Sequence, residues 1–361
     1  MLSVYYDYQI MLAQRYGGIS RYIYELASRL PALGADVSLR CINNHNYYFA
    51  DRFGVNDMPK HCRILRLALS YYVNKAAAAL DVRRRHYDIV HPTYYYASKP
   101  AHGKFIVTVH DMTHEKYSGI YPVSQRVIAA KKRIIPQADR IITVSENTKK
   151  DLLLFFPDVD PAKISVIYHG ASMIPADGKF QQMDGRDYVL FVGDRRMYKN
   201  FPRFVQAITA VMSTHKDLHV FCAGGGAFTP QEVALFGEYA SRFWQGGLSD
   251  EELARAYGNA LCFVFPSEYE GFGIPILEAF ACGCPVVCSR ASSFPEVAGD
   301  AAEYFDPLDA EDMADKVQRV IDDESLRGVL ADRGRERLKL YDWDKTARGT
   351  LECYKEALNN D

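Results

Sequence analysis

Two glutamates on either side of a glycine turn are the residues of this chain best suited to bind a ligand. Glu270 and Glu278 are separated by seven residues in the segment FPSEYEGFGIPILEAFACGCPVVC. The pattern predicts a buried strand, a turn and a helix that starts at Pro275, because proline has the fixed φ of a first helical position. Such a helix end attracts anions, and Gly271 and Gly273 permit close approach to the backbone. Carboxylates beside a phosphate site suggest a sugar nucleotide, although surface glutamates around a glycine turn are also ordinary α/β architecture.

A cluster of cations follows a predicted strand in the segment GDRRMYKNF. Arg195, Arg196 and Lys199 lie between the end of this strand and a helix predicted near Asn200. Guanidinium groups bind diphosphates through two parallel hydrogen bonds, and a lysine adds a compact charge. Together they are able to neutralise a departing nucleoside diphosphate without a metal. The alternative interpretation is a loop with solvated surface charges.

The first half of the chain contains further candidates at a strand end and at two helix starts. His110, in FIVTVHDMTH, occupies a position compatible with a ligand contact or with a hydrogen-bonded core residue, and Asp111 follows it. Gly17 and Gly18 precede an amphipathic helix and permit close backbone approach, but a tight turn alone would also place them there. Ser145 is predicted first of all as the N-cap of the helix NTKKDLLLFF.

Strand-like and helical patterns alternate along the chain in two series. The strands predicted in the first series are residues 3–6, 37–41, 64–67, 89–91, 105–109, 141–144 and 164–168. After a polar stretch at 175–187, the second series contains strands at 189–193, 219–223, 261–265, 286–288 and 303–305. Two doubly wound parallel sheets are therefore predicted, with ligands bound in a cleft at the carboxyl ends of the strands. We place the domains at residues 1–176 and 177–340, followed by a helix within 341–361.

Composition limits the classes of protein that fit. The chain has 361 residues, of which 48% are hydrophobic, and a net charge of −2, which gives no general attraction to nucleic acid. The start of the sequence has no signal-peptide pattern, and no apolar run reaches the length of a membrane span, so a cytoplasmic location is expected. The eight cysteines are expected as reduced core residues. A metal site at Cys282, Cys284 and Cys288 fits no zinc spacing, and no metal is predicted.

The segments EGFGIPILEAFACGCPVV and SFPEVAGDAAEYFDP resemble the Glu-x7-Glu signature of the retaining glycosyltransferases of family 4, and the similarity extends over nearly the whole chain. The resemblance implies the GT-B fold, in which an acceptor domain and a nucleotide-sugar donor domain are both Rossmann-like. It also implies that the helix in YDWDKTARGTLECYKEAL crosses back to the first domain. The activity implied is a retaining, metal-independent hexosyl transfer, without a cofactor, from a nucleoside diphosphate sugar.

The same resemblance implies roles for particular residues. Glu270 and His110 are expected near the transferred sugar, and Glu278 at the nucleotide ribose. The predicted catalytic residues are His110, Glu270, Arg195 and Lys199. The predicted donor-binding residues are Gly17, Gly18, Ser145, Arg196, Gly271, Phe272, Gly273, Ile274 and Glu278.

The phosphate loop departs from the usual form of the family. That form has arginine directly after the glycine and lysine five residues later, whereas here Asp194 follows Gly193. A Gly-x-Arg-x-x-Tyr-Lys-Asn variant is similar to this loop. We therefore assign the diphosphate to Arg195 together with Lys199 and keep Arg196 as the second candidate.

Donor and acceptor are predicted as classes. The Tyr-Lys-Asn of the loop resembles the same loop in mannosyltransferases of polysaccharide assembly, so GDP-mannose is the first expectation for the donor. The expected acceptor is a glycan or a lipid-linked glycan. The cations at 83–85 and 131–133, with Tyr71, Tyr72 and the tyrosines at 94–96, indicate either peripheral contact with an anionic membrane or solvated helix ends over core tyrosines. The alternatives from other classes are a non-hydrolysing sugar-nucleotide epimerase and a non-catalytic sugar-nucleotide-binding protein.

Overall fold

The structure is a computed structural model in which residues 1–41, 44, 46–49, 63–119 and 122–359 are described. It divides into two compact units. Unit 1 comprises Met1–Gly170 and Trp343–Asp361, and unit 2 comprises Ala171–Asp342.

Strands and helices alternate through most of the described chain. The strands are β1 (Leu2–Tyr6), β2 (Ala35–Leu39), β3 (Ile89–His91), β4 (Lys104–Val109), β5 (Arg140–Thr143), β6 (Ile164–Val166), β7 (Tyr188–Val192), β8 (His219–Ala223), β9 (Phe243–Gly246), β10 (Cys262–Phe265), β11 (Val286–Ser289) and β12 (Ala302–Phe305). The α-helices are α1 (Gln9–Ala13), α2 (Gly18–Arg29), α3 (Arg63–Arg84), α4 (Thr113–Lys116), α5 (Ser124–Ile134), α6 (Glu146–Phe155), α7 (Phe201–Thr214), α8 (Pro230–Phe236), α9 (Asp250–Asn259), α10 (Ile274–Ala281), α11 (Phe294–Ala298), α12 (Ala310–Asp322), α13 (Glu324–Leu338) and α14 (Trp343–Asn359).

Unit 1 contains a parallel sheet of six described strands in the order β2-β1-β3-β4-β5-β6. Helices α2 and α14 pack on it, and their apolar faces share one core that includes Leu26, Trp343 and Leu351. The hydroxyl groups of Tyr6 and Tyr354 lie 2.7 Å apart and join β1 to α14 inside this core. The prediction that the last helix returns to the first domain is thereby confirmed.

Unit 2 contains a second parallel sheet of six described strands, in the order β12-β11-β10-β7-β8-β9. Helices α7 and α12 contribute Phe204, Ile208 and Val317 to the core on this sheet. The chain order reverses between β7 and β10, which lie side by side. In doubly wound sheets the loops on the two sides of such a reversal diverge and leave a crevice for ligands.

One predicted strand was wrong, and one observed strand was not predicted. Residues 64–67, predicted as a strand, lie in helix α3. Their short apolar run is continued by the alanine-rich stretch around residues 76–79, whose helix propensity and length favour one long helix. Strand β9 was not predicted, because its sequence FWQG is short, ends in glycine and lies at the edge of the sheet.

Helix caps and cysteines agree with the sequence. Ser145 caps α6, Asp309 caps α12, and Ser249 forms a capping box with Glu252 at α9. The seven cysteines within the described residues form no disulfide, and all except Cys282 are buried. The remaining cysteine, at position 62, lies outside the described residues.

Candidate active site

Two loops flank the point in unit 2 where the strand order reverses. The first follows β7 and carries Lys199, and the second follows β10 and carries Glu270. The ammonium of Lys199 and the carboxylate of Glu270 form an ion pair. A backbone hydrogen bond of 2.7 Å from the amide of Glu268 to the carbonyl of Tyr198 also ties the loops together. The structure therefore brings together two of the predicted catalytic residues, which are 71 residues apart in sequence.

The ion pair is only partly open to solvent. The side chains of Lys199 and Glu270 are each 18% exposed. The Lys199 ammonium also lies 5.7 Å from the centre of the Phe265 ring and 5.3 Å from that of Tyr198. A pair in this setting is screened less than a surface pair, while both groups stay accessible to an incoming ligand.

The turn between β10 and α10 is held in a specific shape. Gly273 is the residue before α10 and has a φ of 102°, which favours glycine. A Cβ atom at this position would lie 3.1 Å from the ring of Phe294. The hydroxyl of Ser293 donates to the carbonyls of Glu270 and Phe272, at 3.1 and 2.8 Å. These contacts hold the turn that leads into α10, which begins at Ile274, the residue before the predicted start at Pro275.

Glu278 lies within the first turns of α10. One of its carboxylate oxygens accepts a hydrogen bond of 3.3 Å from the hydroxyl of the buried Tyr257. Burial, together with the nearby charge of Glu278, raises the pKa of Tyr257 well above its ordinary value, so the tyrosine remains a donor. This bond orients the Glu278 side chain. Tyr257 is a residue that sequence reasoning missed, since its spacing from Glu278 has meaning only after α9 and α10 have packed.

The two arginines of the phosphate loop occupy contrasting environments. Arg195 is buried, with its side chain 3% exposed, and forms an ion pair of 2.8 Å with Glu232. Arg196 has a side chain that is 74% exposed and pairs with Asp194 at 3.1 Å. The assignment of the diphosphate to Arg195 stays a prediction.

In unit 1, His110 directly follows β4 and is buried. Its backbone N–H donates to the hydroxyl of Tyr95 at 3.2 Å, and its ring stands edge-on to Tyr22 and stacks on His169. Burial, aided by the charge of Lys131, lowers the pKa of His110 to about 4 despite Asp111. The imidazole is therefore neutral at pH 7, which suits a hydrogen-bonding contact; its proximity to a sugar stays a prediction.

A buried lysine lies beneath the loop that carries His110. The ammonium of Lys131, whose side chain is 1% exposed, pairs with Glu115 at 2.9 Å and donates to the carbonyl of Asp111 at 2.7 Å. Although burial opposes ionisation, Lys131 and Thr113 together lower the pKa of Asp111. Lys131 therefore does not belong to an exposed basic cluster, and the interpretation of residues 131–133 as one surface patch was wrong. The ion pair could not be predicted from the sequence, because Lys131 and Glu115 are 16 residues apart and lie in different helices.

Gly17 and Gly18 lie at the start of α2, and Ser145 lies at the start of α6, as expected. Gly17 precedes α2, where the side-chain oxygen of Gln14 accepts from the amide of Ser20 at 3.2 Å. The hydroxyl of Ser145 accepts from the amide of Thr148 at 3.0 Å. Both arrangements account for the residues as parts of helix ends, and their roles in donor binding stay predictions.

Comparison with known proteins identifies the family. The sequence matches "Glycosyltransferase Family 4" over residues 16–173 and "Glycosyl transferases group 1" over residues 176–337. The chain belongs to glycosyltransferase family 4. It is similar to the sucrose-phosphate synthase structure from Thermosynechococcus elongatus, with a TM-score of 0.76, 19% identity and 100% of both chains covered. The predicted GT-B class, with two parallel α/β units, is thus confirmed.

Curated relatives of this family member include two mannosyltransferases. It is 31% identical to O-antigen chain mannosyltransferase B of Escherichia coli, over 60% of this chain and 55% of that protein. It is 29% identical to MMP alpha-(1->4)-mannosyltransferase of Mycolicibacterium hassiacum, over 64% of this chain and 57% of that protein. These matches span little more than half the length of the relatives.

Proposed function

We propose that this family member transfers a hexose from a nucleoside diphosphate sugar to a hydroxyl of a glycan or lipid-linked glycan. The observation that carries the proposal is the Lys199–Glu270 pair beside the α10 N-terminus, at the strand-order reversal of unit 2. A helix N-terminus and a lysine suit a diphosphate, and carboxylates suit sugar and ribose hydroxyls. Mannose is the first candidate sugar, because two curated relatives are mannosyltransferases.

The proposed reaction proceeds with retention of configuration. The bond between the sugar C1 and the phosphate oxygen breaks as the acceptor oxygen bonds to C1 on the same face, and the acceptor proton passes to the departing phosphate. Lys199 stabilises the charge that develops on this phosphate. Glu270 stabilises the positive charge that develops on the sugar, and Glu278 holds the ribose. We propose no metal for this step, since the leaving group is neutralised by side-chain cations.

The ion pair between Lys199 and Glu270 gives donor binding an exchange step. When the diphosphate arrives, the ammonium moves from the carboxylate to a phosphate oxygen. Glu270 then accepts hydrogen bonds from the sugar in place of the lysine. Since both side chains are partly exposed, this exchange requires no opening of a core.

The first experiment is a screen of nucleoside diphosphate sugars for thermal stabilisation. A donor at 100 times its dissociation constant adds about 2.7 kcal/mol to the free energy of unfolding. We expect GDP-mannose to stabilise the protein most, and Lys199→Ala to remove this effect. Product analysis with the best donor then separates the classes. Release of nucleoside diphosphate upon transfer supports the proposal, a changed sugar that stays attached indicates an epimerase, and stabilisation without turnover on any acceptor indicates a binding protein.

We also propose that unit 1 makes peripheral contact with an anionic membrane. Helix α3 exposes Leu69, Tyr72 and Leu80, and Arg83 and Arg84 are exposed at its last turn. Apolar and basic side chains on one helix are typical of interfacial binding. None of the helices that the structure describes is both long and apolar enough to span a membrane. Flotation with vesicles containing 30% phosphatidylglycerol tests this, and equal binding by wild type and an Arg83→Glu/Arg84→Glu variant would contradict it.

A further inference from the structure

Arg195 holds a glycine-rich loop that follows β8, the strand next to β7. We call residues 224–227 the triglycine loop. The Arg195 guanidinium donates to the carbonyls of Gly224, Gly226 and Ala227 at 2.8, 2.9 and 3.1 Å, and more weakly to that of Gly225 at 3.4 Å. The backbone oxygens of the whole loop thus converge on one side chain.

The conformation of the triglycine loop explains why it needs such an anchor. Gly224, Gly225 and Gly226 have successive φ values of +91°, +73° and +74°. Three consecutive left-handed residues are open to glycine at low steric cost, but glycine loses the most conformational entropy on ordering. A planar guanidinium with several fixed donors can satisfy several carbonyls at once, whereas a lysine ammonium cannot span them. A Cβ atom on Gly225 would lie 2.5 Å from Nη1 of Arg195, so the fit also requires glycine there.

Glu232 completes the anchor from a third direction. It accepts from Nε of Arg195 at 2.8 Å and, through its other oxygen, from the amide of Thr229 at 2.7 Å, where it closes the capping box of α8. Burial opposes the charge on Glu232, but the bonds from Arg195 and Thr229 outweigh it and lower the pKa of Glu232. The rings of Phe201 and Phe228 lie 5.7 and 4.8 Å from the guanidinium carbon. Arg195 therefore joins the loop after β7, the loop after β8 and the start of α8.

The two arginines differ greatly in the interactions that each would lose on binding a ligand. Arg195, whose side chain is 3% exposed, would have to break its hydrogen bonds to the loop carbonyls and its ion pair with Glu232 together. Arg196 would give up one exposed ion pair with Asp194, which is worth about 0–1 kcal/mol. The second arginine is therefore the one available to an anion.

We propose that Arg195 is a positioning residue that fixes the triglycine loop beside the donor site, and that Arg196 is the arginine that binds the diphosphate. The inference rests on the proposed function, since it assumes that unit 2 binds a nucleoside diphosphate. It reverses the ranking that the loop sequence favoured. It also gives the triglycine loop a role, because a loop at the carboxyl end of the strand adjoining β7 borders the same crevice.

The test compares a nucleoside diphosphate with its free nucleoside as ligands. Calorimetry with UDP, GDP, ADP, CDP and dTDP on the wild type selects the best diphosphate, and its nucleoside is measured by competition. We expect Arg196→Ala to lower the affinity for the diphosphate about tenfold. The affinity for the nucleoside and the melting temperature should stay unchanged. Arg195→Lys should instead weaken both ligands by one common factor, lower the melting temperature and speed amide exchange within residues 224–227. Gly225→Ala, which displaces the guanidinium while keeping both arginines, should reproduce the Arg195→Lys pattern.

The opposite outcomes are equally defined. The inference is overturned if Arg196→Ala leaves the ratio of diphosphate affinity to nucleoside affinity unchanged. It is also overturned if Arg195→Lys lowers this ratio while the melting temperature stays at the wild-type value. Should either Arg195→Lys or Gly225→Ala fail to fold, the Arg196→Ala ratio still decides. If the wild type binds none of the diphosphates, the proposed function fails. The anchoring role is then still decided by loop exchange in Arg195→Lys against Arg196→Lys.

Discussion

The ionisable groups at or near the strand ends of the two units differ in burial and in pairing. In unit 1, His110 is buried and neutral, and Lys131 is buried and compensated by Glu115. In unit 2, Lys199 and Glu270 are charged, paired with each other and partly exposed. The buried groups of unit 1 cannot leave their partners without loss of stability, whereas the partly exposed groups of unit 2 can exchange their partners for a ligand. We therefore expect unit 1 variants to affect folding first and unit 2 variants to affect donor binding and transfer first.

Acidification should show the contrast most strongly. Burial lowers the pKa of His91 to about 3 and that of His110 to about 4. Between these values and the unfolded value near 6.5, the unfolded chain binds more protons, so stability is present above pH 6.5 and is lost as pH falls towards 4. We expect each histidine to remove roughly 2 kcal/mol of unfolding free energy between pH 7 and pH 5.

Hydrogen exchange of the whole chain at pH 7, 6 and 5, followed separately for the two units, measures this loss. In unit 2, the hydrogen bond to Asp322 raises the pKa of His215, while partial burial lowers that of His219, so their contributions oppose each other. Unit 1 should therefore lose protection first. Parallel losses in the two units would contradict the comparison.

Lys131→Met should destabilise unit 1 by about 3 kcal/mol, because it leaves the Glu115 carboxylate buried without its partner. The neighbouring Lys132 is exposed, so Lys132→Met is a matched control and should change stability by less than about 0.5 kcal/mol. Urea unfolding at pH 7 measures both variants. If the two cost the same, Lys131 does not act as a buried ion-pair partner.

Much of the candidate site could be predicted from local sequence patterns. The strand, glycine turn and helix around Glu270 are contiguous in sequence, and each step has its own signal in the β-rich run, Gly273 and Pro275. The same holds for the capping of α6 by Ser145, which needs only three following residues.

Residues defined by distant partners could not be predicted in this way. Adjacent arginines look alike in sequence, and only the glycines about 30 residues later decide which of Arg195 and Arg196 is buried. Lys131 looked like surface charge because its partner, Glu115, belongs to another helix. At residues 64–67 the short apolar run itself was misleading, because it belongs to the much longer helix α3.

Lys199→Ala should leave unit 2 folded and lower transfer by on the order of 100-fold, a loss of about 2.7 kcal/mol in transition-state stabilisation. The exposed Lys216, changed to alanine, is the control for loss of a positive charge elsewhere in unit 2. Steady-state kinetics with the donor selected by thermal stabilisation measures the effect. Near-normal turnover of Lys199→Ala would remove the lysine from the leaving-group role.

The smallest expected effects separate the two glutamates. Glu278 is held by Tyr257 within α10, and a ribose contact is made equally in the ground and transition states. Glu278→Gln should therefore raise KM and lower the affinity for nucleoside diphosphate by about tenfold, with little change in kcat. In the proposed reaction Glu270 stabilises the positive charge of the sugar, which develops only in the transition state, so Glu270→Gln should lower kcat.

The ion pair sharpens this last prediction. If Glu270 competes with phosphate for the Lys199 ammonium, as the proposed exchange step requires, removing the charge of Glu270 should leave the affinity for nucleoside diphosphate equal or higher, and never lower. Calorimetry with the diphosphate on both variants measures the difference. A large loss of affinity in Glu270→Gln with none in Glu278→Gln would reverse the two roles. It would also mean that the carboxylate paired with Lys199 in the free protein assists, and does not oppose, the binding of the phosphates.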